Sequence, residues 1–362
     1  MSSPPIFSFV DEADQVLIEE KLRALMVILN RPQKLNSLSY EMVSKITRTL
    51  KVYAEDPTIK VVILKGKGKA FCAGGDVLRV VLSSVAGHWS FAANFYKKQL
   101  ELDHLLATYN KPVVFSMPET LIGHFPDVGA SYFLSRLPGH FGEYLGLTGA
   151  RISGYEMLAC GLATHFVLSK DLIMLEDALC QVASSDVSSF SKLLDKFVHE
   201  AYLKLKPSSA CLRLDIINEC FSGKTVEEIL STLENRIKIG AERWLIEALV
   251  SIKAASPISL KISLRAIREG RILELERCLV RDYNIGYHVI RRTVSNDFYE
   301  GSRAMIIEKD RLPKWEPSKL ELVSEELVDR YFAEVKADEA ADSEGMEIPI
   351  DYFLTQARKS KL

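Results

Sequence analysis

The hydrophobic rhythm of the chain changes about halfway along. Up to residue 170, short apolar runs alternate with amphipathic stretches; beyond it, amphipathic stretches alone follow one another to about residue 336. Val16–Glu20 and Ala24–Leu29 read as strands joined by a turn over Lys21 to Arg23. The second (ALMVIL) is uniformly apolar, as a strand covered on both faces would be. Ser39 is placed to cap a helix running to Glu55, with Met42, Val43, Ile46 and Leu50 along one face and Asp56-Pro57 as its stop. Lys60–Leu64 (KVVIL) reads as another buried strand, leaving through the basic glycine-rich turn Lys65-Gly66-Lys67-Gly68-Lys69. A helix over 90–108, a strand over 111–115, a helix over 128–137 and a short helix over 155–160 capped by Gly161 follow, then a strand-like His165–Leu168. In the second half Val226–Ile239, Trp244–Ala255, Ile258–Arg268 and 273–291 are the clearest helices, with Ser256-Pro257 and Lys314-Trp315-Glu316-Pro317 as joints. Residues 337–350 are acidic and small, the composition of a solvated tail.

Two stretches interrupt these patterns in ways that chemistry could use. Met117-Pro118-Glu119-Thr120-Leu121-Ile122-Gly123-His124-Phe125-Pro126-Asp127-Val128-Gly129 sets two carboxylates, Glu119 and Asp127, each behind a proline. Proline fixes its own φ and extends the residue before it, so both acids sit where the backbone aims the side chain. The same placement suits plain helix-start carboxylates that satisfy orphan N–H groups. The second stretch is Ala70-Phe71-Cys72-Ala73-Gly74-Gly75-Asp76, a strand exit feeding a helix. Paired glycines permit positive φ and close approach, and free N–H groups there suit an anion or a developing oxyanion. A simple strand-to-helix turn capped by Asp76 is the other reading of that heptapeptide.

Composition narrows the classes. Apolar residues make up 48% and charged residues 26% of 362, and the formal net charge of −2 gives no field to recruit nucleic acid or an anionic membrane. The six cysteines (72, 160, 180, 211, 220 and 278) show no CxxC pair and no metal spacing, so they are expected to be reduced thiols. No basic region with an apolar core opens the chain, and no apolar run reaches the length of a membrane span. The terminal Ser360-Lys361-Leu362 is the tripeptide read by the peroxisomal import receptor, so the peroxisome is the expected compartment. Of the seven histidines only His124 lies inside a motif; the others are expected to be satisfied, partly buried imidazoles.

Asn30-Arg31-Pro32 with Leu35-Asn36-Ser37-Leu38, followed by Phe71-Cys72-Ala73-Gly74-Gly75-Asp76, resembles the crotonase (enoyl-CoA hydratase/isomerase) superfamily. Met117-Pro118-Glu119-Thr120, Phe125-Pro126-Asp127-Val128-Gly129, Leu147-Thr148-Gly149-Ala150 and Lys314-Trp315-Glu316-Pro317 narrow the resemblance to the 3-hydroxyisobutyryl-CoA hydrolases, the plant peroxisomal members above all. The resemblance spans residues 10 to about 335. It implies an α/β fold, a crotonase-like spiral of ββα units, here partly truncated, with a helical C-terminal region. The corresponding divisions are a crotonase-like core at 10–170, a helical region at 171–336 and a tail at 337–362.

By the same resemblance, the substrate is an acyl-CoA thioester, with coenzyme A part of the substrate and no cofactor. Glu119 and Asp127 match the two catalytic carboxylates, and Ala73, Gly74, Gly75 and Asp76 the substrate-binding turn, with the Gly75 N–H an oxyanion donor. An acid at 127 favours hydrolase over hydratase, which carries glycine there. Homo-oligomers are common among such relatives. The chain departs from the family between Ser116 and Met117, where a strand, a run of glycines and a helix start, on the order of 25–30 residues, would stand. That segment carries the second oxyanion donor. A second departure is Gln99, where the family shows a substrate-touching glutamate. The leading expectation is hydrolysis of 3-hydroxyisobutyryl-CoA in valine breakdown, and the alternative is a catalytically impaired acyl-CoA-binding or partner protein.

Overall fold

A computed structural model describes residues 15–107, 122, 124–198 and 205–335. The chain forms two compact units that interleave in sequence. The first takes Met1–Asp76, Leu105–Phe115 and Val167–Phe197; the second takes Val77–His104, Ser116–Phe166 and Val198–Leu362. Helical segments from before residue 170 thus group with the C-terminal helices, and residues 167–197 group with the sheet.

The first unit is built on a three-stranded sheet, β1 (Val16–Lys21), β2 (Ala24–Leu29) and β3 (Val61–Gly66), in the order β1-β2-β3. β1 and β2 form an antiparallel hairpin with Val16 opposite Leu29, while β3 runs parallel to β2 with Val61 opposite Ala24. All six residues of β2 are buried, which is why its sequence shows no polar alternation. Ala24, Met26 and Ile28, two residues apart and so on one face, pack with Val61 against Cys180 and Phe190. The last two come from helices Leu172–Cys180 and Val187–Asp195. Helix Tyr40–Ala54 lies against β1 and β2 and buries Met42, Val43, Ile46 and Leu50. Its Ser39 cap accepts the Met42 N–H at 3.2 Å, as the sequence predicts.

The second unit is helical among the described residues. One core gathers Tyr144, Leu147, Phe221, Ile229, Leu233 and Leu245. A second gathers Phe125, Ile258, Ile262, Ile285, Val289 and Phe298. Helix Leu275–Arg291 is buried without a break from Cys278 to Ile290, so any polar group on it must find a partner inside the protein. Arg281 does so on Glu269, Ser131 and the Ala266 carbonyl. Helix Pro257–Gly270 opens with Ser256 accepting from the Ser259 N–H and with proline at its first position, the joint read from Ser256-Pro257.

Two local expectations are corrected. The helix expected over 128–137 is confined to Ala130–Leu134, because Val128 (φ 51°) and Gly129 (φ 80°) both lie in the left-handed region and delay its start. His165–Leu168 forms no strand; its residues find no neighbouring strand to pair with among those described. The expected strand at 111–115 and the tail at 337–350 lie outside the described residues.

Candidate active site

In the first unit, the turn after β3 is organised by a residue far upstream. Asn36, fully buried at φ 57°, accepts the Arg31 N–H at 2.8 Å and donates its amide hydrogens to the carbonyls of Lys67 and Ala70, each at 2.8 Å. A single side chain therefore pins both ends of the glycine-rich turn. Arg31 completes the clamp: it donates to the Ser37 carbonyl at 2.7 Å and to the Asp76 carboxylate at 3.1 Å. Both partners of that ion pair are largely screened from water, with side-chain exposures of 10% and 13%, so it is worth more than a surface pair.

The candidate donor turn hangs on this clamp. Gly75 forms a parallel bridge with Leu38 in which the Leu38 N–H donates to the Gly74 carbonyl at 2.8 Å and the Asp76 N–H to the Leu38 carbonyl at 2.9 Å. In such a ladder the intervening residue directs its own N–H to the opposite side, so the Gly75 N–H points away from Leu38. Gly74 makes the bend at φ 79° with open space where a side chain would be. Ala73, Gly74, Gly75 and Asp76 are thus brought together on one turn. Sequence spacing gave no hint that Asn36 and Arg31 hold it; a buried asparagine beside a positive-φ turn is a signal visible only in three dimensions.

In the second unit, Asp127 is buried, and its main chain is shaped by strain. Val128 is β-branched and sits at φ 51°, a conformation such residues rarely adopt. Gly129 follows at φ 80°, and the Ala130 N–H closes the turn on the Asp127 carbonyl at 2.9 Å. What holds the turn is Asp282, whose Oδ2 accepts the Gly129 N–H at 2.8 Å. Asp127 itself meets the Nε2 of His124 at 3.1 Å. Around them stand Tyr96 and Asp103 of the helix Trp89–Ala107. Burial, reinforced by the charges of Asp127 and Asp282, holds the Asp103 carboxyl well above the usual carboxylate range. Burial likewise pushes Asp282 up to about 7, against the nearby Arg281 charge and the Gly129 N–H. The Tyr96 phenol is pushed well above its ordinary value, by burial first and by Asp127 next. Three carboxyl groups in one dry place cannot all ionise cheaply, so the environment differentiates them. Asp282, Asp103 and Tyr96 escaped the sequence reading because they lie far from Asp127 along the chain.

Glu119 lies outside the described residues, as does Ser360-Lys361-Leu362. Asp127 belongs to the second unit and the Ala73–Asp76 turn to the first. Among the described residues no cluster of His, Cys, Asp or Glu is arranged to hold a metal ion, and no helix is long and apolar enough to cross a membrane.

The enoyl-CoA hydratase/isomerase family model matches residues 24–115 and 113–332. The chain is 46% identical to 3-hydroxyisobutyryl-CoA hydrolase 1 of Arabidopsis thaliana, over 90% of this chain and 93% of that protein. It is 36% identical to the mitochondrial 3-hydroxyisobutyryl-CoA hydrolase of Homo sapiens, over 89% of each. Among solved structures it is similar to a carnitinyl-CoA dehydratase from Mycobacterium thermoresistibile, with a TM-score of 0.78 at 28% identity, covering 92% of this chain and 100% of that one.

Proposed function

The chain belongs to the 3-hydroxyisobutyryl-CoA hydrolases within the enoyl-CoA hydratase/isomerase family, with an α/β fold of the crotonase type, and from that membership we propose that it hydrolyses the thioester of a short, branched 3-hydroxyacyl-CoA. 3-Hydroxyisobutyryl-CoA is the first substrate to try. The observation that carries the reading is Asp127 at the end of Phe125-Pro126, held on a strained turn by a buried carboxylate and an imidazole. Glu119 adds its oxygen to the thioester carbonyl, or takes a proton from the water that does so. The carbonyl oxygen gains the negative charge, and the Gly75 N–H receives it. Collapse of the tetrahedral species breaks the carbon–sulfur bond and expels coenzyme A as a thiolate that takes up a proton; where Glu119 itself has attacked, water then splits the acyl–Glu119 anhydride and regenerates the carboxylate. The products are the 3-hydroxy acid and free coenzyme A, which enters as part of the substrate. Asp127 holds the 3-hydroxyl or orients the water.

The same reading places the reaction in the peroxisome through Ser360-Lys361-Leu362 and in valine breakdown, with homo-oligomers as the expected assembly. It also includes a missing segment between Ser116 and Met117. Its support is that the family model matches as two pieces meeting at 113–115. Loss of the second oxyanion donor would cost about 3–4 kcal/mol of transition-state stabilisation, so the expected turnover is slow. The test is release of free thiol from 3-hydroxyisobutyryl-CoA by the purified chain, with Glu119→Gln and Asp127→Asn beside it. Equal rates in all three would remove both carboxylates from the reaction. Calorimetric binding of the CoA ester with no thiol release would reassign the chain to acyl-CoA binding.

A further inference from the structure

We propose that His124 is the positioning residue of Asp127, holding that carboxylate through a hydrogen carried on Nε2 while an aromatic enclosure keeps the ring from turning over. The kinetic part of this inference rests on the hydrolase reading; the geometric part does not.

The hydrogen position follows from what each atom can do. Asp127 Oδ2 lies 3.1 Å from His124 Nε2, and an ionised carboxylate only accepts, so the hydrogen between them belongs to Nε2. The other ring nitrogen, Nδ1, is buried and meets no partner among the described residues. A hydrogen placed there would be a stranded buried donor. The ring cannot easily exchange the two nitrogens. Phe125 stands edge-on with centroids 4.8 Å apart, Phe298 lies at 5.1 Å, and Tyr96 closes the third side at 6.4 Å. Beyond the ring lies a small cavity lined by Ser259, Ser295 and Tyr331 among apolar side chains.

Asp127 has reason to need such a donor. The helix Trp89–Ala107 turns Tyr96 and Asp103 toward this group, and the helix Leu275–Arg291 turns Arg281 and Asp282. Tyr331 stands across the cavity. Asp282, where ionised, opposes a further negative charge, while the Arg281 guanidinium is engaged by Glu269, Ser131 and the Ala266 carbonyl. The Nε2–H therefore works against Asp282 and holds Asp127 Oδ2 in one place, beside the Tyr96 hydroxyl that also meets this carboxylate.

The test begins with the intact wild-type chain, whose imidazole nitrogens are read by 15N–1H correlation near neutral pH and assigned with His124→Gln. The expected result is a hydrogen carried on Nε2, with resonances that move in Asp127→Asn. A ring protonated at Nδ1 alone, or one that ignores Asp127→Asn, overturns the proposal. Kinetics supply the second arm. His124→Leu is expected to lower kcat/KM roughly 10- to 100-fold, the worth of a hydrogen bond to a charged group. His124→Gln, which keeps an N–H donor, is expected to recover most of that loss. An unchanged rate in His124→Leu, or a loss that His124→Gln does not recover, overturns the positioning role. Absence of thiol release from the wild type would instead sink the hydrolase reading, and the nuclear resonance arm would still decide the His124–Asp127 pair.

Discussion

Asp282 Oδ2 accepts the Gly129 N–H at 2.8 Å, which ties the buried stretch of the helix Leu275–Arg291 to the turn that aims Asp127. The bond needs an acceptor and no charge. Asparagine at 282 would keep it.

That distinction gives a pH prediction. The Asp282 carboxyl titrates at about 7 when folded, above its ordinary 3.8, because burial disfavours its charge. The folded state then binds more protons than the unfolded state between those values, so the stability this group supports is complete below about pH 4 and declines as pH rises towards 7. Asp282→Asn should remove the decline. Urea unfolding from pH 4 to 8 should find the variant more stable than wild type at the alkaline end, by an amount on the order of 1–3 kcal/mol. A difference that does not change with pH would show that Asp282 ionises normally.

Asn36→Ala should be costly out of proportion to its size. It removes three hydrogen bonds of 2.8 Å from a buried position and leaves the Lys67 and Ala70 carbonyls and the Arg31 N–H to find other partners. A loss of about 2–4 kcal/mol is expected by chemical denaturation. Asn36→Asp should do no better, since a carboxylate cannot donate to two carbonyls.

Arg31→Lys should separate catalysis from stability. Lysine can meet Asp76 or the Ser37 carbonyl but cannot span both as the guanidinium does at 3.1 and 2.7 Å. The turn bearing Gly75 should loosen, lowering kcat about tenfold while shifting stability by only about 1 kcal/mol. A parallel fall in both would mean that the clamp is structural alone.

Two glycines should fail for different reasons. A Cβ on Gly66 would lie 2.3 Å from the Phe71 carbonyl oxygen and 2.7 Å from the Asn36 amide, so Gly66→Ala must move backbone and should cost about 3 kcal/mol or more. At Gly129 the nearest atoms, on Leu275 and Leu279, are at 3.5 Å, and only the φ of 80° resists a side chain. Gly129→Ala should therefore cost roughly 1 kcal/mol. Thermal melts of the two variants would test the contrast.

Local signals carried much of the architecture. ALMVIL announced a doubly covered strand, Ser39 and Ser256-Pro257 announced helix starts, and both were found where they were read. The shortened helix at Ala130–Leu134 shows where local pattern misleads. Val128 favours extended backbone at negative φ, yet a buried acceptor from residue 282 helps hold the turn it sits on. The partners of the candidate site were likewise hidden. Asn36 reaches Lys67 and Ala70, and Asp127 shares its surroundings with residues 96, 103 and 282, separations that no periodicity encodes. Motif resemblance located the acids; for Asp127, only packing explains how it is aimed.

The chain passes between its two units five times, at 76/77, 104/105, 115/116, 166/167 and 197/198. Neither unit is one continuous piece of gene, so neither could be shuffled as a cassette, inherited alone or made by stopping translation at a single codon. A change that adds or removes residues at a crossing touches the wiring of both at once.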